Sequence, residues 1–424
     1  MKKKLLLLLV LILLPTLSVF AIDRRKPQFL NETSYMILPM PYAIPGIGSG
    51  LMGIGLAGNF LNSYTDLYAV NLSGDAQGTI LGLEDIHLIS ETLIIDLYLQ
   101  DLTRAAVQIY SQRGMNTLKD DYYLVEVDKV QSYQAQLRLS LFDRKFEAFA
   151  RQWKQKVRIV NVLDAEGNSI TGFSQEAEMQ AGNAGFVVDY TDDWQDPRKG
   201  VRAWITRSES PPESNLSPDF YVMDVNLGFY IPMGQNSTWA FNYFTSDAVV
   251  TKEGQTDKAV IQSEVEASVT SSVCPTGAQA CIDGVLADPT VQAIVTSQTE
   301  LTWANRKYGT STSLGGDSRF RAYPQSRFIG AHTLYLSTEI RWNFSTEVTP
   351  FNFWIWKDVS TGLQLAFFAE RGSVADKKSD LTNNMRTTTG VGFRMVSASG
   401  YVYRIDLTNG DEGTQPSMIF NYPW

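Results

Sequence analysis

Pro416-Ser-Met-Ile-Phe-Asn-Tyr-Pro-Trp424 ends the chain and, at strand spacing, sets Met418, Phe420, Tyr422 and Trp424 on one face. An aromatic terminus of period two suits the closing strand of a barrel that sits in lipid. The opposite end carries the matching signal. Lys2, Lys3 and Lys4 precede the apolar run Leu5–Leu14, then Pro15 and Val19-Phe20-Ala21, the layout of a cleavable export segment over 1–21. An uncleaved anchor is the rival, but so short a run cannot cross about 30 Å of hydrocarbon. No cysteine lies near the cleavage point, so lipid attachment is not expected.

Cleavage takes the formal charge from −9 to −12, since three lysines leave. Nucleic acid is a poor partner for such a chain, because phosphates need a basic footprint. Beyond residue 21 no stretch approaches eighteen apolar residues, so any membrane-embedded part must be a closed barrel. Two soluble domains are the alternative at this length.

Periodicity separates the two. Leu93, Ile95, Leu97 and Leu99 alternate with Asp96 and Tyr98; Leu137, Leu139 and Leu141 with Gln136, Arg138 and Ser140. Tyr221, Met223, Val225, Leu227, Phe229 and Ile231 oppose Asp224, Asn226 and Gly228. Leu334, Leu336, Ile340, Trp342 and Phe344 oppose Ser337, Glu339, Arg341 and Asn343. A soluble sandwich also alternates. Here one face is continuously apolar and aromatic while the other holds isolated charges, the lipid-out, polar-in pattern of a membrane barrel. Aromatic residues make up 12% of the chain, and Trp342, Phe344, Phe351, Phe353, Trp354 and Trp356 read as an interfacial girdle.

This reading gives about sixteen strands, near 48–60, 76–88, 91–99, 104–112, 121–129, 131–141, 144–162, 182–191, 200–209, 219–231, 237–250, 332–344, 361–370, 389–397, 401–409 and 416–424. Residues 22–45, with Pro27, Pro39, Pro41 and Pro45, read as a short periplasmic tail before a barrel over 46–424. Between Phe244 and Trp303 no aromatic residue occurs. The stretch 251–331 is therefore a long sixth outer loop, with short helices expected near 258–268 and 288–298. Loops of this length are functional or disordered. Cys274 and Cys281 lie within it and read as a local disulfide in an exported chain. The metal-site alternative lacks partners, as His87 and His332 belong to separate strands.

Gly48-Ser-Gly50-Leu-Met-Gly53 fits G-x-G-x-x-G, yet glycines continue at Gly55 and Gly58 without a following helix. A weak first barrel strand accounts for them better than a nucleotide site. Asp196-Pro-Arg-Lys-Gly200 is a turn with solvated charges. No catalytic set emerges, and neither a cofactor nor a metal site is expected.

Leu314-Gly-Gly-Asp-Ser-Arg-Phe-Arg-Ala-Tyr323 is the most specific segment. It resembles the loop-six signature of the BamA/TamA type of outer-membrane assembly barrels, G-G-x-x-x-[VIL]-R-G-[FY]. Gly315, Gly316, Phe320, Arg321 and Tyr323 occupy the signature positions, and Ala322 replaces its second-last glycine. Phe367-Phe-Ala-Glu370 resembles the strand whose inward acid meets the loop arginine. Gly390-Val-Gly-Phe-Arg394, Tyr403-Arg404-Ile-Asp406 and Trp424 resemble the last strands, and Asp196, Pro197 and Gly200 a mid-barrel turn.

The resemblance implies an all-β, antiparallel transmembrane barrel of about sixteen strands with loop six folded toward the lumen. It implies an outer-membrane location in a Gram-negative bacterium and a part in inserting or translocating outer-membrane proteins. Lipid, client proteins and a periplasmic or lipoprotein accessory are the implied partners. Residues 22–45 cannot hold a POTRA domain, so a member without them is expected. A buried Arg321 needs a partner, and Glu339, Glu370 and Asp406, with Arg404 beside them, are the inward candidates. A solvated loop arginine is the alternative. The seam is expected between a strand weakened by Gly48, Gly50, Gly53, Gly55 and Gly58 and one carrying Pro416, Pro423 and Trp424. A diffusion channel or structural barrel is the competing function, and a lipid-acting barrel enzyme a third.

Overall fold

A computed structural model describes residues 23–29, 31–110, 112–171, 175–210, 216–274, 276–345, 351–353, 356–359, 361–397 and 401–424. The export segment 1–21 and Trp354 lie outside the described residues. Sixteen long strands among the described residues form one antiparallel sheet. They are β1 Ser34–Ile44, β2 Gly48–Gly58, β3 Asp66–Gly74, β4 Gln77–Ile89, β5 Leu93–Tyr110, β6 Tyr122–Leu141, β7 Phe146–Leu163 and β8 Gln175–Thr191. The second half is β9 Gly200–Ser210, β10 Asp219–Met233, β11 Ser237–Lys252, β12 His332–Asn343, β13 Thr361–Ala375, β14 Arg386–Ser397, β15 Val402–Gly410 and β16 Gly413–Phe420.

Each strand pairs with the next, and β16 returns to β1 through Ala43 and Met418, which closes the barrel. Alternation sets the faces. On β12, Leu336, Ile340 and Trp342 are about 40% exposed or more, while Glu339 and Arg341 are at most 1% exposed. Apolar side chains thus cover the outside, and the charges turn into the bore. Among the described residues no helix is long and apolar enough to cross a membrane.

The strand count agrees with the sequence reading, but the strands differ. Residues 34–44, read as tail, form β1 with its prolines in place, and β3 was missed. Conversely, 91–99 with 104–112 make the single strand β5, and 121–129 with 131–141 make β6. These strands are 18 and 20 residues long, beyond what a membrane of ordinary thickness requires. They project past the apolar band, and the polar residues there look like turns in sequence.

Apart from 344–360, connections are eight residues or fewer at the end that carries the turns 59–65, 90–92, 142–145, 192–199 and 234–236, and the long loop 253–331 lies at the other. The longest outer loop holds helices α1 Lys258–Val273, α2 Gln279–Leu286 and α3 Pro289–Tyr308. Asp257 and Asp288 cap α1 and α3 by accepting from Ala259 and Thr290 backbone N–H groups, and Pro289 opens α3 where its missing donor costs nothing. A disulfide joins Cys274, at the end of α1, to Cys281 in α2.

Candidate functional site

After α3 the long loop turns back into the bore. Leu314 and Phe328 bridge, and between them the chain makes a tight knot. Gly315 and Gly316 both have φ near 110°, and a Cβ on Gly315 would lie 2.2 Å from the Pro324 carbonyl oxygen. Only glycine fits there. Phe320 takes a left-handed φ of 65°, and its ring packs with Tyr323 and Phe328 at 4.7 and 5.9 Å. Ala322 has no positive φ, so its methyl group is not strained. It fits because Gly410 across from it has no side chain: a Cβ there would come within 3.0 Å.

The knot delivers Arg321, fully buried, to three strands. Its Nε donates to Glu370 Oε1 at 2.7 Å and its backbone N–H to Oε2 at 2.8 Å. Nη1 donates to Asp406 Oδ2 at 2.8 Å, and Nη2 stands 3.5 Å from Glu339. The guanidinium also lies over the Phe368 ring. Glu370 accepts further from Tyr335 and Thr388 hydroxyls, at 2.8 and 3.0 Å. Arg404 Nη1 donates to Asp406 at 2.5 Å and Nε to the Asn421 carbonyl at 2.9 Å. Arg394 binds both oxygens of Glu339 at 2.6 Å, and Arg341 binds one at 2.6 Å. Four arginines therefore surround three carboxylates, all at most 1% exposed, in an interlocked network that breaks as a unit. Chemically it is a structural clamp, since no nucleophile or paired acid and base stands free within it.

The structure thus brings together Gly315, Gly316, Phe320, Arg321 and Tyr323 with Glu339, Glu370, Arg404 and Asp406. The sequence reading missed Arg341, Tyr335, Thr388 and Phe368. Arg341 and Arg394 could have been found, since they share an inward face with residues already singled out.

The seam is not where the glycines pointed. Gly48, Gly50, Gly53 and Gly55 lie on β2; all four pair with β1, and Gly50, Gly53 and Gly55 also pair with β3. Gly53 and Gly55 have open space before them and shape the outer surface. The free edge belongs to β1. Among the described residues, β1 meets β16 through one partner pair, Ala43 with Met418, whereas all eleven residues of β1 pair with β2. Farther down, Tyr35 pairs with Lys357 of a small hairpin, Phe351–Phe353 and Trp356–Val359, between β12 and β13.

Tyr403 on β15 donates from its hydroxyl to the Pro41 carbonyl at 2.9 Å, so the polar backbone groups of Pro41 face the seam, as do those of Pro39 two residues before. Asn421 N–H donates to Val402 on β15, which by alternation turns Pro416 and Met418 to the seam on β16. Prolines offer no N–H, so both edges are short of donors. Apolar overlap does most of the joining. The inward face of β1–β3, with Met36, Tyr42, Met52, Ile54 and Leu56, packs against Tyr403, Ile405, Met418 and Phe420, which share the outer face of β15–β16 with Leu407. The last strands are tucked inside the first like the lap of a scroll.

Strand β16 ends at Phe420. Asn421 has φ 72°, and the chain then turns into the bore, so Tyr422, Pro423 and Trp424 do not continue the outer aromatic face. Tyr422 donates to Asp196 Oδ1 at 2.6 Å, and Trp424 is buried against Tyr230 and Arg341. Asp196 belongs to the 192–199 turn, which is therefore a built site and not a string of solvated charges. Trp342 and Phe344 remain exposed on the outside, as an interfacial girdle requires.

No protein-family profile matches the sequence, and no curated protein matches it. Among solved structures, the chain is similar to BamA from Haemophilus ducreyi lacking POTRA domains 1–3, at 11% identity and TM-score 0.47, over 92% of this chain and 70% of that one. It is similar to CdiB from Escherichia coli at 12% identity and TM-score 0.48, over 92% of this chain and 62% of the other. OccK11 (OpdR) from Pseudomonas aeruginosa aligns at 9% identity and TM-score 0.29, over 95% and 96%.

Proposed function

We propose that this barrel resides in the outer membrane of a Gram-negative bacterium and helps other outer-membrane proteins to insert or cross, by parting its seam sideways. The carrying observation is the join between β1 and β16: one partner pair among the described residues, prolines that leave both edges short of donors, and a seal made mainly by apolar overlap. Apolar surface can slide where a hydrogen-bonded ladder would have to break. An opened edge could then hold an incoming strand by β-augmentation. The Arg321 clamp ties β12, β13 and β15 into one panel that would move as a body. Lipid, client barrels and a periplasmic or lipoprotein accessory are the partners this reading requires.

A second reading, a diffusion channel, draws on one observation. Glu84, Gln100 and Gln134, on the inward face of β4–β6, keep some exposure within the bore. Cysteines replacing Ala43 and Met418 separate the readings. Oxidation should stop client insertion in proteoliposomes, and reduction should restore it. Full insertion activity with the seam bonded rules out the parting seam; no insertion activity in either redox state, with steady ion-selective current in planar bilayers, rules out the assembly role and supports the channel.

A further inference from the structure

The segment before β1 does not hang free. Arg24, Arg25 and Lys26 lie against the 192–199 turn, which borders β8 and β9 and so stands eight strands away from β1, halfway round the barrel. Arg25 keeps part of its surface exposed but is held at four points: its N–H donates to the Asp192 carbonyl at 2.7 Å, Nε lies 3.0 Å from Asp192 Oδ2, and Nη2 reaches Asp193 at 3.1 Å and the Asp196 carbonyl at 2.6 Å. Arg24 donates to the Thr191 carbonyl at 3.0 Å and the Asp143 carbonyl at 2.8 Å, and Lys26 stands 3.3 Å from Asp193. Trp194 N–H donates to Gln28 at 3.1 Å, and Phe29 packs edge-on to His87 at 4.6 Å.

One residue of this turn also receives the other end of the chain. Asp196, with no exposure, takes Tyr422 on Oδ1 while Oδ2 lies 3.4 Å from Arg25 Nη2. Tyr422 follows β16, and Arg25 precedes β1. The two strands that border the seam are therefore tethered, through their free ends, to a single carboxylate on the far wall.

We infer that the 192–199 turn is a binding site for a dibasic extended peptide, occupied by the chain's own Arg24-Arg25, and that Asp196 links this arm to the carboxy-terminal tail to latch the seam from across the bore. The acids of the turn are arranged for that ligand. Asp192 and Asp193 also accept from backbone N–H groups of the turn itself, Asp192 from Arg198 and Lys199, Asp193 from Gln195 and Asp196, which fixes their oxygens before any arginine arrives. The Asp196 carboxylate is held by Arg198 at 2.8 Å and is not fixed by the turn's own N–H groups, so Arg25 and Tyr422 each help to place the oxygen that the other meets, and such coupling is reciprocal. The latching role rests on the reading that the seam moves; the binding site does not.

Hydrogen exchange of the full chain in detergent, read over 23–44 and 413–424, tests it. Arg25→Gln should speed exchange about tenfold or more at both ends, the size of one charge-assisted hydrogen bond lost in a shared site. Tyr422→Phe should do the same at both ends, and Asp196→Asn should exceed either. If Arg25→Gln affects only 23–44 and Tyr422→Phe only 413–424, the latch is refuted; if neither changes anything, so is the binding site. Because Asp196→Asn removes a buried charge and could misfold, the Arg25 and Tyr422 variants decide alone. Client insertion is measured in parallel: coupled exchange with unaltered insertion keeps the latch and removes the moving seam.

Discussion

The Arg321 guanidinium carbon stands 3.4 Å from the centre of the Phe368 ring, so the cation that two carboxylates grip from its edges is also covered on a face. A charge closed in on all sides has no water to fall back on when a partner goes.

Arg321→Ala would leave Glu370 and Asp406 underpaired in a dry bore. The expected loss is about 3–5 kcal/mol, the range for breaking buried pairs. Urea titration of the folded form, scored by its mobility on unheated gels, reads it. Combining it with Glu370→Ala should cost less than the sum of the two by at least ~1 kcal/mol. Additive losses would mean that the two residues do not act on one another.

Tyr403→Phe removes the one side-chain donor that reaches the Pro41 carbonyl. About 1 kcal/mol should go, which corresponds to amide exchange in β1 roughly fivefold faster. Exchange at the rate of the parent protein would show that the overlap is held by apolar contact alone.

Reduction of Cys274–Cys281 reopens a link of sequence separation 7, worth about 2–3 kcal/mol in the chain-entropy account. The three helices pack mainly on each other, so the effect should stay among them. Faster exchange over 258–286 with an unchanged barrel midpoint is the expected result.

Acid should release the arm late. Burial would raise the Asp196 carboxyl, but Arg198, Arg25 and the Tyr422 hydroxyl outweigh it and hold it down to about 2. A depressed carboxyl contributes stability above its unfolded value of about 3.9 and loses it as pH falls through the folded value. Asp143, Asp189, Asp192, Asp193, Arg202 and His87 also face the arm. Exchange over 23–44, corrected for its intrinsic pH dependence, should therefore stay flat from pH 7 to 4 and rise only below that. Release already at pH 6 would contradict this electrostatic hold.

The barrel was legible in sequence because the period of two has a chemical sign: Leu336, Ile340 and Trp342 meet lipid while Glu339 and Arg341 do not. The Arg321 knot was legible through its glycines. What escaped notice did so for physical reasons. Pro39 and Pro41 look like breakers, yet their missing N–H groups fall on the seam side of β1, where they break no bond to β2. The aromatic tail looks like continued strand because the period of two runs through it and outweighs the one signal against it, Asn421, a residue type that takes left-handed φ more readily than most. The clustered Arg24-Arg25-Lys26 and Asp192-Asp193 pairs are 166 or more residues apart, and local patterns carry no sign of such a meeting.

The small hairpin that takes Tyr35 blunts the lower edge of β1, and Met418 takes the upper end. Between them, at Pro39 and Pro41, the seam side of β1 forms a short shelf that offers carbonyls and no amides. A guest chain laid there would have to supply most of the donors itself and would gain few in return. Such a shelf grips weakly and lets go soon, which suits a surface meant to be vacated after each use.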